Sequence, residues 1–172
     1  MTEHEVETRD LSELETAVEY ATLPVAEIGP WLQHAFREVA AYLERKGAGP
    51  AGAAFARYRR IENGLVEVEA GYPASTPTSG EGEVEPSDLP GGPAVATVHV
   101  GPYDAIEAAS EALAAWIRAR GGEPVGDAWE VYLVDPNVAH DLTTWRTDVV
   151  QPYRVSSRVE AGDPPGRISS VQ

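Results

Sequence analysis

The segment TVHVGPY, residues 97–103, decides the fold because a near copy of it, VAEIGPW, occurs at residues 25–31. Both copies resemble the end of a hydrophobic strand that runs into Gly-Pro-aromatic. Proline is tolerated in the first turn of a helix, where its missing N–H has no intrahelical partner. Pro30 and Pro102 therefore predict that a helix begins at each copy, and the repeat indicates an internal duplication.

The residues after each copy have the periodicity of an amphipathic helix. Apolar residues recur at i, i+4, i+7 and i+11 in the first segment and at i, i+3, i+7 and i+11 in the second, which places each set on one helix face. A glycine follows each segment, and a left-handed glycine commonly ends a helix. These residues are Leu32, Phe36, Val39 and Leu43 before Gly47, and Ile106, Ala109, Leu113 and Ile117 before Gly121.

The match continues beyond the helices. GAGPAGAAFARY at residues 47–58 aligns with GGEPVGDAWEVY at 121–132, and LVEVEAGYP at 65–73 corresponds to TWRTDVVQP at 144–152. Each half therefore reads strand, helix, strand, strand. The predicted fold class is α+β, with two duplicated βαββ units in pseudo-twofold symmetry. Their strands form one mostly antiparallel sheet with both helices on one face.

The domain organisation follows from the repeat. We expect a single domain over residues 1–153, with the first repeat at about 6–73 and the second at about 94–153. Residues 74–93 are rich in Gly, Pro, Ser and Glu, which predicts an acidic loop or an extended crossover. The polar tail, residues 154–172, is predicted to be disordered.

Composition excludes several classes of function. The 172 residues include 28 acids and 13 bases, a formal net charge of −15, so direct nucleic-acid binding is not expected. The absence of cysteine excludes disulfides, thiolate metal sites and thiol nucleophiles. There is no secretory signal and no apolar run of about 18 residues, so we expect a cytoplasmic protein that does not bind membranes.

Glu130 raises a question because it lies in the apolar run DAWEVYLVDP, residues 127–136. A buried and unpaired carboxylate is costly. Neighbouring residues of a strand point to opposite faces, so Glu130 and Tyr132 are expected to share one open face. The residues predicted to face the helices are Trp129, Val131 and Leu133.

The first half provides an internal control for Glu130. Its equivalent strand predicts Phe55 on the helix side and Ala56 and Tyr58 on the open side. The acid is therefore not required by the fold, which favours a local role for it.

Aromatic residues collect on the predicted open face. If the two halves meet along a cleft there, its π surfaces and single negative charge would attract a planar, lipophilic cation. An ordinary half-exposed strand gives the same spacing, so both interpretations stay open at this point. The aromatic residues are Tyr58 and Tyr132 on paired strands, Trp31 and Tyr103 at the helix starts, and Tyr72 and Trp145 on or near the closing strands.

The segments VHVGPYDAI (98–106), WEVYLVDP (129–136) and WRTDVVQPY (145–153) occur in this order, and the first-half segments TLPVAEIGPW, AAFARY and VEVEAGYP accompany them. With these motifs the chain resembles the GyrI-like small-molecule-binding family. In bacterial multidrug-responsive activators this effector-binding domain is also fused to helix-turn-helix regions. The resemblance covers about residues 6–153 and leaves no room for such a region, so we expect a stand-alone member.

The resemblance implies a ligand cleft between the two halves that binds diverse, often cationic aromatic drugs through stacked aromatics and a central glutamate. That glutamate falls on Glu130 and the tyrosine of the same motif on Tyr132. Residues near the H-x-G-P-Y turn and on the closing strand add His99, Tyr103 and Trp145. The internal symmetry adds Tyr58, Tyr72 and Trp31 as further candidates. The predicted function is a stand-alone, polyspecific multidrug-binding protein.

Two other functions resemble known roles in the family. One is a hydrolase that opens cyclopropane rings of DNA-alkylating molecules, in which Glu130 would position or activate water with Tyr132. The other is a protein that inhibits DNA gyrase or contacts a regulator. Neither a cofactor nor a metal is expected, because His34 and His140 show no metal spacing and are interpreted as solvated. The expected partners are small hydrophobic or cationic aromatic molecules, with gyrase or a regulator as the alternative.

Overall fold

The computed structural model describes residues 5–60, 63–101, 107–133 and 146–155. Within these ranges the chain forms nine strands and two helices. The strands are β1 (Glu7–Leu11), β2 (Leu14–Pro24), β3 (Phe55–Arg60), β4 (Leu65–Pro73), β5 (Glu85–Leu89), β6 (Gly92–Val100), β7 (Gly122–Pro124), β8 (Trp129–Tyr132) and β9 (Arg146–Val155). The helices are α1 (Ile28–Lys46), which follows a 3-10 turn (Val25–Glu27), and α2 (Glu107–Ala119).

Eight strands form one antiparallel sheet in the order β1-β6-β9-β8-β3-β4-β2-β5, and β7 pairs with the far end of β9. The unit β2-α1-β3-β4 and the unit β6-α2-β8-β9 occupy equivalent positions on the two sides of the central β3–β8 pair. The predicted α+β fold of two βαββ units is therefore confirmed.

Both helices end as the sequence predicts. Gly47 and Gly121 adopt left-handed conformations with φ of 65° and 74°, which glycine reaches without a Cβ clash. The helix stripes are also confirmed where they are described, since Leu32, Val39, Leu43, Ala109, Leu113 and Ile117 are buried. Neither described helix is both long and apolar enough to cross a membrane.

The helices pack on the face of the sheet that carries Glu130. Helix α1 packs mainly on β2 and β4, and α2 packs on β6, β7 and β9. Ala56 and Tyr132 join Leu32 and Ala35 of α1 in one buried cluster. By alternation, Glu130 points to the same side as Tyr132. The central strands β3 and β8 thus form the floor between the two helices.

Neither of the two described helices packs on the opposite face, yet much of that face is buried as well. Leu11 of β1 and Leu89 of β5 come from the two edges of the sheet, and both pack in one cluster with Phe55 and Trp129. The sheet is therefore curled until its edges meet over its own face. The prediction that this face packs against the helices is wrong for Phe55, Trp129 and Val131, and Leu133 is 49% exposed.

The physical reason for this error lies in what a strand pattern can specify. A period of two identifies the side chains that share a face, but it does not say which face a helix covers. Here the curl buries Trp129 against strands from the far edge, which gives the same apolar pattern as burial under a helix. Phe55 lies on the opposite face of the sheet from Ala56 and Tyr58, as predicted. It is covered by strands from the sheet edges and not by a helix.

The curl closes at a corner formed by two bent strand pairs. β1 pairs with β6, while its continuation β2 pairs with β5, which itself leads into β6. Gly91 lies at this corner, where an added Cβ would be 2.9 Å from both the Leu11 carbonyl oxygen and the Glu13 nitrogen. Backbone segments from the two halves therefore cross in close contact.

The segment that joins the repeats, residues 74–93, contains more structure than a loop. Residues 85–89 form β5, in which Leu89 is buried, and Val84 just before it is buried as well. At the other end of the chain, β9 continues to Val155, where Arg154 and Val155 pair with β7. The rest of the predicted tail, residues 156–172, lies outside the described residues.

Candidate functional site

Glu130 sits at the centre of the sheet, where the two repeats meet. Its cross-strand partners are Ala56 on β3 and Val149 on β9. Ala56 is small and fully buried, and it packs with Leu32 and Ala35 of α1. Glu130 therefore lies on the helix-bearing face of the central β3–β8 pair, close to the pseudo-twofold axis.

Two phenols hold the carboxylate. The Tyr132 hydroxyl donates to Oε1 of Glu130 at 2.7 Å, and the Tyr58 hydroxyl lies 3.0 Å from that of Tyr132. The Tyr58 hydroxyl also acts on Glu130 by hydrogen bonding. The acid and the two phenols therefore form one hydrogen-bonded cluster across the β3–β8 pair.

The electrostatics of this group are those of a desolvated anion. Burial raises the pKa of Glu130, and the hydrogen bonds from Tyr132 and Tyr58 lower it only in part. Burial, together with Tyr58 and Glu130, raises the pKa of Tyr132 well above its ordinary value, so this phenol keeps its proton. No basic side chain among the described residues acts on the Glu130 carboxylate.

Aromatic side chains surround this group on the α1 side. The Phe36 ring makes edge contacts with Tyr72 and Tyr132, at centroid distances of 5.8 and 5.9 Å. Trp31, partly buried, packs against the cluster that contains Tyr132. Phe36 of α1 therefore connects the Tyr72 ring of the first repeat to the Tyr132 ring of the second, which is hydrogen-bonded to Glu130.

The predicted site residues divide into three groups by position. Glu130, Tyr132 and Tyr58 are hydrogen-bonded together, and Tyr72 and Trp31 belong to the surrounding aromatic contacts. His99 is buried on β6 and lies in the cross-strand row of Tyr132, with Thr147 of β9 between them. Tyr103 and Trp145 lie outside the described residues, so their roles remain predictions.

Sequence reasoning did not assign Phe36 to the site. Its i+4 spacing from Leu32 placed it in the buried helix stripe, and the structure does pack it against that core. The same ring also contacts Tyr72 and Tyr132. A signal existed, since it is the largest side chain of that stripe, but periodicity cannot separate a core residue from a wall residue.

A concavity lies inside the curl, on the face of the sheet opposite the two described helices. It has a volume of about 310 Å³ and is lined by apolar residues that include Phe55, Leu89 and Trp129. The acidic residue of its lining, Asp148, forms a bidentate salt bridge with Arg9, in which Nη1 and Nη2 donate to the two carboxylate oxygens at 2.6 and 3.0 Å. The charge there is compensated, whereas the charge of Glu130 is not balanced by any described cation.

Comparison with known proteins places this geometry in a family. The model of the GyrI-like small molecule binding domain matches residues 4–154. The C-terminal domain of EcmrR has a TM-score of 0.68 at 17% identity, with 89% of this chain and 99% of that chain covered. SAV2435 bound to tetraphenylphosphonium gives 0.60 at 12% identity, with 91% and 97% covered.

A hydrolase from Listeria innocua has a TM-score of 0.62 at 13% identity, covering 87% of this chain and 91% of that one. No curated protein matches the chain. Identities this low establish a common fold and nothing further. The family model rests on the sequence itself and spans nearly all of it, and on that basis the chain belongs to the GyrI-like small molecule binding domain family.

Proposed function

We propose that this protein binds aromatic cations in the groove between α1 and α2, with Glu130 as the counter-charge. The observation that supports this most directly is the state of that carboxylate, which is desolvated and held by the phenols of Tyr132 and Tyr58. Glu130 is partly buried, and a desolvated charge without a counter-ion among the described residues is costly, so a cation that binds beside it would relieve part of that penalty.

The energetic terms favour cations over neutral guests of equal size. A charge pair about 4 Å apart gains on the order of 4 kcal/mol at an effective dielectric near 20, before the ligand is desolvated. Each aromatic ring that contacts the cation adds about 0.5–2 kcal/mol. Phe36, Tyr72 and Trp31 supply such surfaces, and they tolerate differently shaped guests because stacking requires area more than matched hydrogen bonds.

The structural neighbour SAV2435, which was solved with tetraphenylphosphonium, supplies a suitable probe. This ion carries a permanent positive charge among phenyl rings and cannot lose it by titration. We expect calorimetric titration to show saturable binding of tetraphenylphosphonium and at least about tenfold weaker binding of neutral triphenylphosphine oxide. Equal affinities for the two would contradict an electrostatic role for the groove.

The affinity for cations should vary with pH as the Glu130 carboxyl group ionises. Because burial raises the pKa of Glu130, affinity is full above that raised pKa and falls as the pH drops through it. Tyr132→Phe keeps the ring but removes a hydrogen bond that lowers this pKa. The fall in affinity should therefore occur at higher pH in the variant, measured with tetraphenylphosphonium from about pH 5 to 8.

A matched control for this substitution is Tyr20→Phe, which removes the hydroxyl of an exposed tyrosine on β2. Its pH profile should coincide with that of the unmodified protein. A Tyr132→Phe profile that shifts to lower pH, or one that matches the control, would contradict the role assigned to the Tyr132 hydroxyl.

Hydrolysis is a second candidate function, favoured by one observation. The raised pKa of Glu130 brings this group closer to the range in which a carboxyl serves as a general acid or base near neutral pH. The Tyr132 hydroxyl, 2.7 Å from the acid, could help to orient a water molecule. Incubation with a cyclopropane-bearing alkylator, followed by mass spectrometry, tests this. Conversion no faster than in a buffer blank would exclude hydrolysis of that class.

A further inference from the structure

A group of polar side chains outside the groove converges on the other flank of α1. It comprises Glu19 on β2, His34 and Glu38 on α1, and Glu83 just before β5. One ligand-type atom from each residue lies within 4.8 Å of the corresponding atoms of all the others. Three separate segments of the chain therefore present one imidazole and three carboxylates to the same small volume.

Glu19 distinguishes this group from an ordinary acidic surface. Glu19 is only 2% exposed, and its Oε2 atom has no hydrogen-bond partner among the described residues. Burial, and then the neighbouring carboxylates of Glu38 and Glu83, raise the pKa of Glu19 to about 7. His34 is the one basic residue of the group, and its Nε2 lies 3.6 Å from Oε1 of Glu38.

We propose that these four side chains bind one divalent transition-metal ion, with Zn²⁺ as the best-suited probe. Imidazole together with carboxylate oxygens suits zinc and its neighbours in the first transition series. The imidazole donor disfavours Ca²⁺ and Mg²⁺, which prefer oxygen ligands throughout. A dication at this position would also neutralise most of the charge that Glu19, Glu38 and Glu83 concentrate there.

The geometry requires only small adjustments. Four ligand atoms at about 2.0–2.1 Å from a tetrahedral zinc are separated by about 3.4 Å. The His34–Glu38 pair, at 3.6 Å, is already close to that spacing because the residues are one helical turn apart. No pair of ligand atoms lies more than 4.8 Å apart, so each pair must close by at most roughly 1.4 Å. His34, Glu38 and Glu83 are exposed and can rotate, while buried Glu19 supplies the fixed ligand.

Binding would link β2, α1 and the segment that leads into β5. Because the four ligands come together only in the folded chain, the ion should stabilise the native state by mass action. The site is separated from Glu130 by α1 and by the strands β4 and β3. The proposed metal site can therefore be tested independently of the proposed binding of aromatic cations.

The test is a calorimetric titration of Zn²⁺ into the full chain, stripped of metal and free of a histidine tag. We expect one ion per chain in the unmodified protein and at least about tenfold weaker binding in His34→Ala and in Glu38→Gln. Glu44→Gln is the matched control, since it removes an exposed glutamate of the same helix outside the group. Zinc should raise the thermal midpoint of the unmodified protein and of the control, and raise it much less in the two variants.

Two results would overturn the proposal. One is the absence of saturable zinc binding, and the other is an affinity of His34→Ala and Glu38→Gln that equals that of Glu44→Gln. Both altered positions are half-exposed, so the variants are expected to fold. The thermal unfolding transitions of the metal-free variants check that they are folded, and binding of tetraphenylphosphonium bears only on the proposed function.

Discussion

Glu130→Gln is expected to weaken the binding of tetraphenylphosphonium by about tenfold to a hundredfold. The charge pair gains on the order of 4 kcal/mol at 4 Å and an effective dielectric near 20, and desolvation of the ligand offsets part of this. A residual loss of about 1.4–2.8 kcal/mol corresponds to that range of affinity. Glutamine is nearly isosteric and its amide oxygen still accepts the hydrogen bond from Tyr132, so the groove keeps its shape. Calorimetric titration measures the change.

Two controls isolate the charge of Glu130. Glu85→Gln removes the same charge from an exposed position on β5 and should leave affinity unchanged. The Glu130→Gln protein should also be at least as stable to heat, because the desolvated carboxylate that costs free energy near pH 7 is gone. An affinity that equals that of Glu85→Gln, in a folded variant, would refute the central role of the acid.

Gly71→Ala is expected to lower the free energy of unfolding by roughly 3 kcal/mol or more. Gly71 lies on β4 between Phe55 of β3 and Val18 of β2. An added Cβ would stand 1.9 Å from the Ala17 carbonyl oxygen and 2.8 Å from the Cα of Val18. Both atoms belong to the backbone of the neighbouring strand, so the clash cannot be relieved by a change of rotamer. The β2–β4 pairing must shift instead.

Urea unfolding followed by circular dichroism measures this effect, and Gly29→Ala is its control. Gly29 lies in the first turn of α1, where an added Cβ meets no atom within 4 Å. Alanine is also the better helix former, so this variant should be unchanged or stabilised by up to about 1 kcal/mol. A Gly71→Ala protein as stable as Gly29→Ala would mean that the two strands are not packed this closely.

The parts of the fold that the sequence reveals are those encoded locally. The first Gly-Pro-aromatic segment lies in the first turn of α1, whereas Pro102 and Ile106 of the second lie outside the described residues. Gly47 and Gly121 mark equivalent helix ends because a left-handed residue is needed there. Duplication then converts one local pattern into two units of the same topology. The central β3–β8 pair follows from that symmetry rather than from any single motif.

The parts that the sequence hides depend on the curvature of the sheet. Trp129 packs against residues from both distant edges, and no local pattern distinguishes that environment from burial under a helix. The sequence does not predict β5 as a strand, because EPSDL lacks an apolar run. It pairs only as an edge strand beside β2. Tertiary contacts override weak strand propensity in both cases.

The candidate site shows the same division. Glu130 is conspicuous as an acid in an apolar strand, and alternation correctly places it on the same face as Tyr132 and Tyr58. The prediction that this face is open is wrong, because α1 and α2 pack on it. The grouping around Glu19 is invisible from the sequence apart from the one-turn spacing of His34 and Glu38, because its remaining members come from other segments. Convergence of distant segments is a property of the packed chain alone.

The pairing of β1 with β6 has a mechanical consequence. β1 precedes the first repeat in the chain, yet from Glu7 to Leu11 it is hydrogen-bonded to the second repeat. This ladder ties the chain segment before the first repeat to the second repeat, so a movement that separates β1 from β6 would break their backbone hydrogen bonds. Under the proposed function, we therefore expect ligands of different size to be accommodated by rotation of side chains such as Phe36.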